Sequence, residues 1–398
     1  ILVARGDQVK IGQVIAGSEG FVSTNIHSSV SGKVLKVDKF MDSSGYKRMA
    51  VQIQVEGEVL DEDIDRTDDL VRNTVLPAEA IRKKILEAGI VGLGGATFPS
   101  HVKLMVPKGK TAEYLIINGV DCEPYLTADH ALMMERTEEV FAGIQVLMKG
   151  LGVDKAIVGI ESNKPDAIAK MKEIAQGTQV EVQGLKVKYP QGGEKQLVQA
   201  LLRREVPSGG LPIDVGVVVF NVGTAFAAYE AVNKNRPLID RVVTVTGKSL
   251  KKRSNFLVSI GTPVSYLVEK AGGLPGDTAK VVNGGPMMGK ALSTLDVPVV
   301  KGSSGILLIG ENEARRKEAD PCIRCTKCVT VCPMGLEPYL MMTLSEKSLF
   351  ERMEAEKVMD CIECGSCSYT CPSSRPLLDY IRLGKAEVGK IIRARKAV

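Results

Sequence analysis

The first seventy residues alternate short apolar runs with glycine and polar turns, a pattern that is typical of β-strands. Gly6-Asp7-Gln8-Val9 and Ser31-Gly32-Lys33-Val34 each show a turn that leads directly into such a run. We therefore predict a β domain over residues 1–70. Its acidic end, 61–69, has no apolar periodicity and is typical of a linker.

Residues 71–238 alternate helical and extended patterns, which predicts an α/β domain. One helix is expected to begin at Pro77, a favoured first-turn residue, and to end at Gly89, a favoured terminator. Ser162 or Asn163 is expected to cap another helix. The remaining predictions are strands at 114–117, 155–160 and 185–189, and helices at 138–148, 164–174 and 195–202. Helix N-termini that follow strands can hold phosphates.

The last two segments differ in pattern. Residues 239–310 are rich in strands and Gly-Pro turns, which predicts a small β domain with one helix, whereas 311–398 is helical. The fold class is therefore multidomain α/β and α+β. The longest apolar run, 215–229, is shorter than the ~20 residues of a membrane-spanning helix, so we predict no membrane span.

The amino-acid composition indicates which cellular compartment and which kinds of binding partner to expect. Eight of the nine cysteines lie between Cys322 and Cys371, which argues for a reducing compartment and against a disulfide framework. A net charge of +5 is too mild to indicate nucleic-acid binding. Because the sequence begins at Ile1 rather than Met, we expect an N-terminal piece to be missing, and no targeting peptide is recognisable.

The cysteines repeat one motif, C-x2-C-x2-C-x3-C-P, in which the fourth cysteine of each run binds the other run's cluster. This spacing predicts two [4Fe–4S] clusters. The first ligand set is Cys322, Cys325, Cys328 and Cys371, and the second is Cys361, Cys364, Cys367 and Cys332. A pair of zinc sites is the alternative, but zinc needs two C-x2-C pairs and has no use for a third evenly spaced cysteine.

A glycine-rich run, Gly92-Leu93-Gly94-Gly95-Ala96-Thr97-Phe98-Pro99, precedes Lys103. Three glycines in four positions let the backbone approach a ligand and direct N–H groups at an anion. The run follows a predicted helix rather than a strand, so it does not fit the Rossmann dinucleotide fingerprint. A tight loop without a ligand is the alternative interpretation.

Several motifs together resemble a known family. They are Gly92–Pro99, Asn118–Tyr125, Tyr189–Gln196, Asn221–Thr224 and Gly284–Gly289. Their order, with both cysteine motifs, resembles RnfC, a component of the Rnf ion-translocating electron-transport complex, from end to end. The middle is more distantly similar to the flavin- and NADH-binding subunit of respiratory complex I. Residues 1–70 resemble half of a lipoyl-type barrel without the carrier lysine, which indicates a docking scaffold.

This resemblance implies non-covalent FMN beside a site for NADH, with electrons passed on to the two clusters. It also implies a peripheral subunit at the cytoplasmic face of the inner membrane, in an ion-translocating complex. Its partners would be the other subunits, including a ferredoxin-like iron–sulfur subunit. The domains would be a barrel-sandwich-like domain at 1–70, an FMN/NADH-binding domain at 71–238, a β-grasp-like domain at 239–310 and a dicluster domain at 311–398.

The resemblance also implies roles for individual residues. Gly92, Gly94, Gly95 and Lys103 match the loop and lysine that line flavin and nucleotide, while Asn221 and Thr224 match the motif that holds the FMN phosphate. The nucleotide-facing turns would contain Asn118, Asp121, Glu123, Tyr189, Gly192 and Glu194. Compared with complex I, Leu93 replaces an arginine, and Asp121 and Gly193 replace glutamates. No residue needs to act as a catalytic acid or base, because hydride transfer needs stacking and orientation.

Two other functions are also compatible with the sequence. A cobalamin reductase of bacterial microcompartments has the same architecture and would reduce cob(III)alamin with NADH. A non-enzymatic dicluster electron shuttle would show cluster absorbance without flavin fluorescence after denaturation.

Overall fold

The structure is a computed structural model that describes residues 1–396. The strands are β1 Gln8–Val9, β2 Val14–Ala16, β3 Ile26–His27, β4 Gly32–Met41, β5 Lys47–Val55, β6 Tyr114–Gly119, β7 Ala156–Glu161, β8 Val180–Leu185, β9 Val217–Asn221, β10 Asp240–Thr246, β11 Ser254–Ser259, β12 Thr278–Asn283, β13 Lys290–Ala291 and β14 Gly305–Gly310. The helices are α1 Ala78–Glu87, α2 Ser100–Leu104, α3 Ala128–Glu135, α4 Thr137–Leu151, α5 Pro165–Ile174, α6 Glu194–Leu202, α7 Val222–Asn233, α8 Val264–Lys270, α9 Glu311–Ala314, α10 Lys327–Thr330, α11 Pro338–Glu346, α12 Phe350–Ala355, α13 Ser366–Thr370 and α14 Leu377–Lys396.

The N-terminal β domain consists of two small sheets. Strands β1, β4 and β5 form an antiparallel sheet, and β2 pairs with β3. The alternating pattern around Val34 places that side chain in a small core with Val9 and Ile15. The segment after β5 has little regular structure, as its polar composition predicts.

The α/β domain is built on a parallel sheet of four strands in the order β8-β7-β6-β9. Strand β7 is buried along its whole length, which its apolar sequence predicts for a strand covered on both faces. Helices α4 and α7 pack against each other, with Val140, Ile144 and Ala228 in the largest core. This sheet positions the candidate site, because its strands all end at one edge.

Two local predictions for this domain are wrong. The strand predicted at 185–189 lies at β8, Val180–Leu185, where the residues pair with β7 in register. After Leu185 the chain carries Lys186, Lys188 and then Pro190, which leads into a turn instead. Helix α5 has Lys164 at its N-cap position without a side-chain cap, because Pro165 at the first helical position fixes where the helix begins.

The β-grasp-like domain has a mixed sheet of five strands in the order β11-β10-β14-β12-β13. Strands β10 and β14 are parallel neighbours at its centre, and α8 packs beside them through Val264, Leu267 and Val268. The C-terminal segment is helical, as predicted, with Met341, Met353 and Leu377 in its core. Within residues 1–396, no helix combines the length and the apolar character needed to cross a membrane.

Candidate functional site

The site lies where the order of strands in the parallel sheet reverses. From β6 the chain moves outward through β7 to β8, and then returns to place β9 on the other side of β6. In open α/β sheets, ligands bind beyond the carboxyl ends of strands at such a switch point. Asn118 in β6 and Asn221 at the end of β9 are register partners there. Two predicted site residues from distant motifs therefore meet at this edge.

The glycine-rich loop packs against the same edge. A Cβ atom at Gly94 would lie 3.3 Å from Cβ of Asn221, so the backbone approaches closely. The backbone N–H of Leu93 donates to Oγ1 of Thr224 at 2.9 Å in a buried hydrogen bond. Gly95 has φ +124°, which L side chains rarely adopt, and faces open space. The structure thus brings the loop together with Asn221 and Thr224.

Helix α7 directs its N-terminus at this crevice. Its N-cap, Asn221, accepts a hydrogen bond from the backbone N–H of Gly223 at 2.8 Å. Unpaired N–H groups and the helix dipole make such an N-terminus favourable for a phosphate. The loop, the helix N-terminus and the crevice fit FMN, because a phosphate and a flat ring need such a cradle.

Sequence reasoning missed two charged residues that support this cradle. Asp129 in α3 accepts a hydrogen bond from Nδ2 of Asn221 at 2.5 Å, and burial raises the pKa of Asp129. Arg241 in β10 is buried, its guanidinium donating to the carbonyl oxygens of Lys301 and, at 3.5 Å, Leu93. Arg241 comes from the neighbouring domain, and no local motif marks it.

A pocket behind the loop is lined by Asp129, Arg241 and Glu230. Burial raises the pKa of Glu230 to about 7, the ion pair with Arg236 opposes this rise, and the charge of Asp240 adds to it. The side chain of Glu230 is only 13% exposed.

The raised pKa of Glu230 predicts a pH dependence of stability. Its pKa in the folded state lies above the ordinary 4.5, so the folded state keeps a proton that the unfolded chain releases. This contribution is present at low pH and is lost as pH rises through about 7. We expect wild-type protein to lose roughly 3 kcal/mol of stability from this source between about pH 5 and about pH 8.5.

Thermal unfolding of wild type and Glu230→Gln at both pH values measures this effect. The Gln variant should lose less stability across the range, whereas Glu138→Gln, which changes an exposed ion-paired acid on α4, should behave as wild type. An equal pH dependence of wild type and Glu230→Gln would contradict the assignment.

The loops after β6 and β8 pack against each other. Nδ2 of Asn118 donates to the carbonyl oxygen of Gly192 at 2.9 Å, and the N–H of Gly192 donates to Sγ of Cys122 at 3.3 Å. Asp121 has φ +50° and accepts from the N–H of His130 at 3.3 Å. Burial, reinforced by the charge of Asp129, raises the pKa of Asp121. Asn118, Asp121 and Gly192 therefore lie in one loop cluster.

Lys103 lies beside β9, an edge strand of the parallel sheet. Its ammonium contacts Oε1 of Glu194 at 2.6 Å and the carbonyl oxygen of Val219 at 2.9 Å, 5.7 Å from the ring centroid of Phe220. Both charged side chains are partly exposed. Lys103 and Glu194, which are both predicted nucleotide contacts, therefore form an ion pair with each other.

Glu123 and Tyr189 contact other domains. Oε1 of Glu123 accepts from the N–H groups of Met287 at 2.7 Å and Met288 at 3.0 Å in the β-grasp-like domain. The hydroxyl of Tyr189 donates to the carbonyl oxygen of Cys364 at 2.7 Å. The sequence did not reveal these partners, because each is more than a hundred residues away along the chain.

Two groups are recognisable among the eight repeated cysteines, one of four residues and one that contains Cys328 and Cys371. Cys332, Cys361, Cys364 and Cys367 line one pocket together with apolar side chains such as Met341 and Leu378. Burial raises the pKa of Cys367 to about 12, and the neighbouring Cys361, Cys364 and Cys332 contribute to this rise. In the other group, burial raises the pKa of Cys328, and the charge of Cys371 adds to the rise.

These groups fit iron–sulfur clusters. Cys332 of the first repeat lies beside Cys361, Cys364 and Cys367 of the second, which is the placement that crossed ligation predicts. Cys332 lies in the pocket with the second repeat, which a pair of independent zinc knuckles would not need. Apolar side chains around the thiols also suit an iron–sulfur cluster, because they limit solvent access and so help to set its redox potential.

Family models match four consecutive parts of the chain. They are the RnfC barrel sandwich hybrid domain at 1–58, the Nuo51 FMN-binding domain at 85–230, the SLBB domain at 242–291 and a 4Fe-4S dicluster domain at 314–372. The fold and the site together define an oxidoreductase component that carries FMN and two [4Fe–4S] clusters.

Curated relatives identify the family. The C subunit of the proton-translocating ferredoxin:NAD(+) oxidoreductase complex of Clostridium ljungdahlii is 47% identical over 97% of this chain and 84% of that protein. The C subunit of the Na(+)-translocating complex of Acetobacterium woodii is 45% identical over 97% of this chain and 87% of that protein. The chain therefore belongs to the RnfC family.

A more distant relative agrees with this assignment, and a solved structure shares the fold. The C subunit of the ion-translocating oxidoreductase complex of Rhodobacter capsulatus is 42% identical over 85% of this chain and 65% of that protein. A crystal structure of NAD+-reducing [NiFe]-hydrogenase in the H2-reduced state shares the fold, with a TM-score of 0.56 and 20% identity over 78% of this chain and 63% of that chain.

Proposed function

We propose that this chain is the electron-input subunit of a membrane-bound, ion-translocating NAD:ferredoxin oxidoreductase. Its relatives are subunits of ferredoxin:NAD(+) oxidoreductase complexes, and one chain combines an FMN-binding domain with a dicluster domain. The observation that carries the proposal is a contact: Tyr189 of the FMN-binding domain donates to the carbonyl oxygen of Cys364 in the cysteine-lined pocket.

FMN and the [4Fe–4S] clusters differ in the number of electrons that they exchange in one step. When bound, FMN would supply two-electron hydride chemistry toward NADH, and the [4Fe–4S] clusters would supply one-electron chemistry. Gly92, Gly94 and Gly95 would hold FMN with their backbone, while Asn221 and Thr224 would fix the helix N-terminus at the phosphate.

The nucleotide would approach the same crevice from the side of the loops after β6 and β8. Asn118, Asp121 and Gly192 form the loop cluster that would orient the nicotinamide. The partly exposed pair Lys103 and Glu194 would separate to contact NADH, because their ion pair is accessible to solvent. Glu123 and Tyr189 are the other nucleotide contacts that the resemblance implies, but the hydrogen bonds of both side chains are made to other domains.

We propose an order for the two clusters. The ligand set Cys332, Cys361, Cys364 and Cys367 would be proximal to the flavin, because Tyr189 and Gln196 of the FMN-binding domain contact its loops. The set Cys322, Cys325, Cys328 and Cys371 would be distal. Cys322 and Cys325 are exposed, which suits transfer to a partner.

The exposed distal cysteines indicate where a partner subunit would bind. Beside the exposed cysteines, the side chain of Ile323 is 67% exposed and available for contact. We propose a ferredoxin-like iron–sulfur subunit as the acceptor and a peripheral position at the cytoplasmic face of the inner membrane. The proposed domains are 1–70 for docking, 71–238 for FMN and NADH, 239–310 as the β-grasp-like spacer and 311–398 for the clusters.

Removing one cluster at a time tests the relay. With NADH as the reductant, Cys325→Ala should retain one reducible cluster, because the proximal set is intact. Cys361→Ala should leave the remaining cluster oxidised, because the connection to the flavin is broken. EPR under anaerobic conditions measures both, and dithionite should reduce the surviving cluster in either variant.

The opposite pattern, with NADH reducing the remaining cluster only in Cys361→Ala, would contradict the order. Failure of NADH to reduce any cluster in wild-type protein that contains FMN and iron would contradict the function itself.

A further inference from the structure

Three domains meet beside the proximal cysteine set. The loop from Gly284 to Gly289, which the sequence marked only as a family motif, lies between Glu123 and the dicluster domain. The carboxylate of Glu123 accepts hydrogen bonds from the backbone N–H groups of Met287 and Met288 in this loop. On the other side, a Cβ atom at Gly365 would lie 2.6 Å from the carbonyl oxygen of Met287. The loop is therefore a spacer with little freedom to shift.

Arg382 closes this junction from the dicluster side. Its guanidinium donates to the carbonyl oxygen of Met288 at 3.1 Å and to Oε2 of Glu363 at 3.1 Å. Glu363 immediately precedes Cys364 in the chain. The Met288 carbonyl is thus tied to the same turn that carries a proposed cluster ligand.

Tyr189 is the side chain that joins the FMN-binding domain to this turn directly. Its hydroxyl donates to the carbonyl oxygen of Cys364 at 2.7 Å, and its ring is partly buried. A phenol has an ordinary pKa of about 10, so this hydroxyl carries its proton at neutral pH and is a donor. One aromatic side chain therefore lies between the acidic loop after β6 and the cysteine-bearing turn.

We propose that Tyr189 is a positioning residue for electron transfer, which holds the Cys364 turn at a fixed distance and orientation from the flavin cradle. This inference rests on the proposed function and deepens it. It also changes the role expected from family resemblance, since the hydroxyl acts on the cluster side rather than on the nucleotide.

The proposal has two physical consequences. The hydroxyl proton is the positive end of a dipole directed at the backbone of a cluster ligand, so it favours the reduced cluster and raises its potential. Electron transfer also weakens steeply with distance, so a looser turn slows transfer from flavin to cluster. Neither consequence depends on the affinity for NADH.

Tyr189→Phe in the full chain tests the proposal, because it keeps the ring and removes only the donor. We expect the potential of one cluster to become more negative in an EPR-monitored redox titration, while the other cluster is unchanged. Stopped-flow transfer from flavin to cluster should slow several-fold, with normal flavin and iron contents. Tyr369→Phe is the matched control, because Tyr369 is in the same domain as the clusters but 83% exposed.

A second pair of variants perturbs the junction without touching Tyr189. A Cβ atom at Gly285 would lie 2.2 Å from Cγ of Glu123, whereas Gly276 in the same domain has open space around it, and neither glycine has positive φ. Gly285→Ala should slow transfer from flavin to cluster, and Gly276→Ala should not.

Three outcomes would overturn the inference. They are an unchanged potential and rate in Tyr189→Phe, equal shifts in Tyr189→Phe and Tyr369→Phe, and a raised KM for NADH with unchanged cluster potentials, which would return Tyr189 to nucleotide binding. All of them require wild-type clusters that NADH reduces. Wild-type protein without that reduction would instead contradict the proposed function.

Discussion

Replacing Cys332 by alanine should remove the cluster of the second cysteine repeat, although Cys332 belongs to the first. The thiol of Cys332 lines the same pocket as Cys361, Cys364 and Cys367. A [4Fe–4S] cluster with three remaining thiolates loses iron readily, so we expect the iron content to fall by about half. The surviving EPR signal should be that of the cluster on Cys322, Cys325 and Cys328.

The decisive comparison is between the EPR spectra of cysteine variants in the first repeat and those in the second. Under crossed ligation, Cys332→Ala has the spectrum of Cys361→Ala, and Cys371→Ala has that of Cys325→Ala. If each repeat bound its own cluster, Cys332→Ala would match Cys325→Ala instead. Cys122→Ala is the control and should keep both clusters, because Cys122 lies in the FMN-binding domain against Gly192, where burial raises its pKa to about 11.

Gly95→Ala should weaken FMN binding at least tenfold, or by about 1.4 kcal/mol. Gly95 has φ +124°, and its missing side chain faces open space at the crevice. Any L residue there is strained, and relief of that strain rotates backbone N–H groups away from the ligand. Titration of apo-protein with FMN, followed by quenching of flavin fluorescence, measures the change in Kd.

A second glycine variant controls for the effect of backbone strain by itself on FMN binding. Gly6 in the N-terminal β domain has φ +101° and also faces open space, so Gly6→Ala carries a similar strain far from the cradle. It should bind FMN as tightly as wild type. Equal affinities in Gly95→Ala and wild type would show that the glycine loop does not hold the flavin.

The parts of the structure that follow local rules were predictable from sequence. Repeated cysteine spacing indicated two clusters with exchanged ligands, and helical or extended periodicity located most elements of the α/β domain. Helix α1 lies between Pro77 and Gly89 as predicted, because proline and glycine act on their immediate neighbours. The misassigned strand at 185–189 shows the limit of this reasoning, since pairing with β7 decides where β8 lies.

Contacts between domains could not be predicted. Arg241 supports the glycine loop from β10, and nothing near it in the sequence indicates a flavin. Glu123 was expected to face a nucleotide, yet the N–H groups of Met287 and Met288 are its hydrogen-bond partners. The hydrogen bond between Tyr189 and Cys364 likewise joins residues that are 175 positions apart. Such pairs depend on how the domains pack, which local propensity does not encode.

Anaerobic titration of the purified protein with NADH, followed by absorbance and EPR together, tests the central claim most directly. We expect purified protein to contain FMN, iron and sulfide, and we expect NADH to bleach the flavin before the reduced-cluster signals appear. Flavin that bleaches while both clusters stay oxidised, or zinc in place of iron at the cysteines, would contradict it.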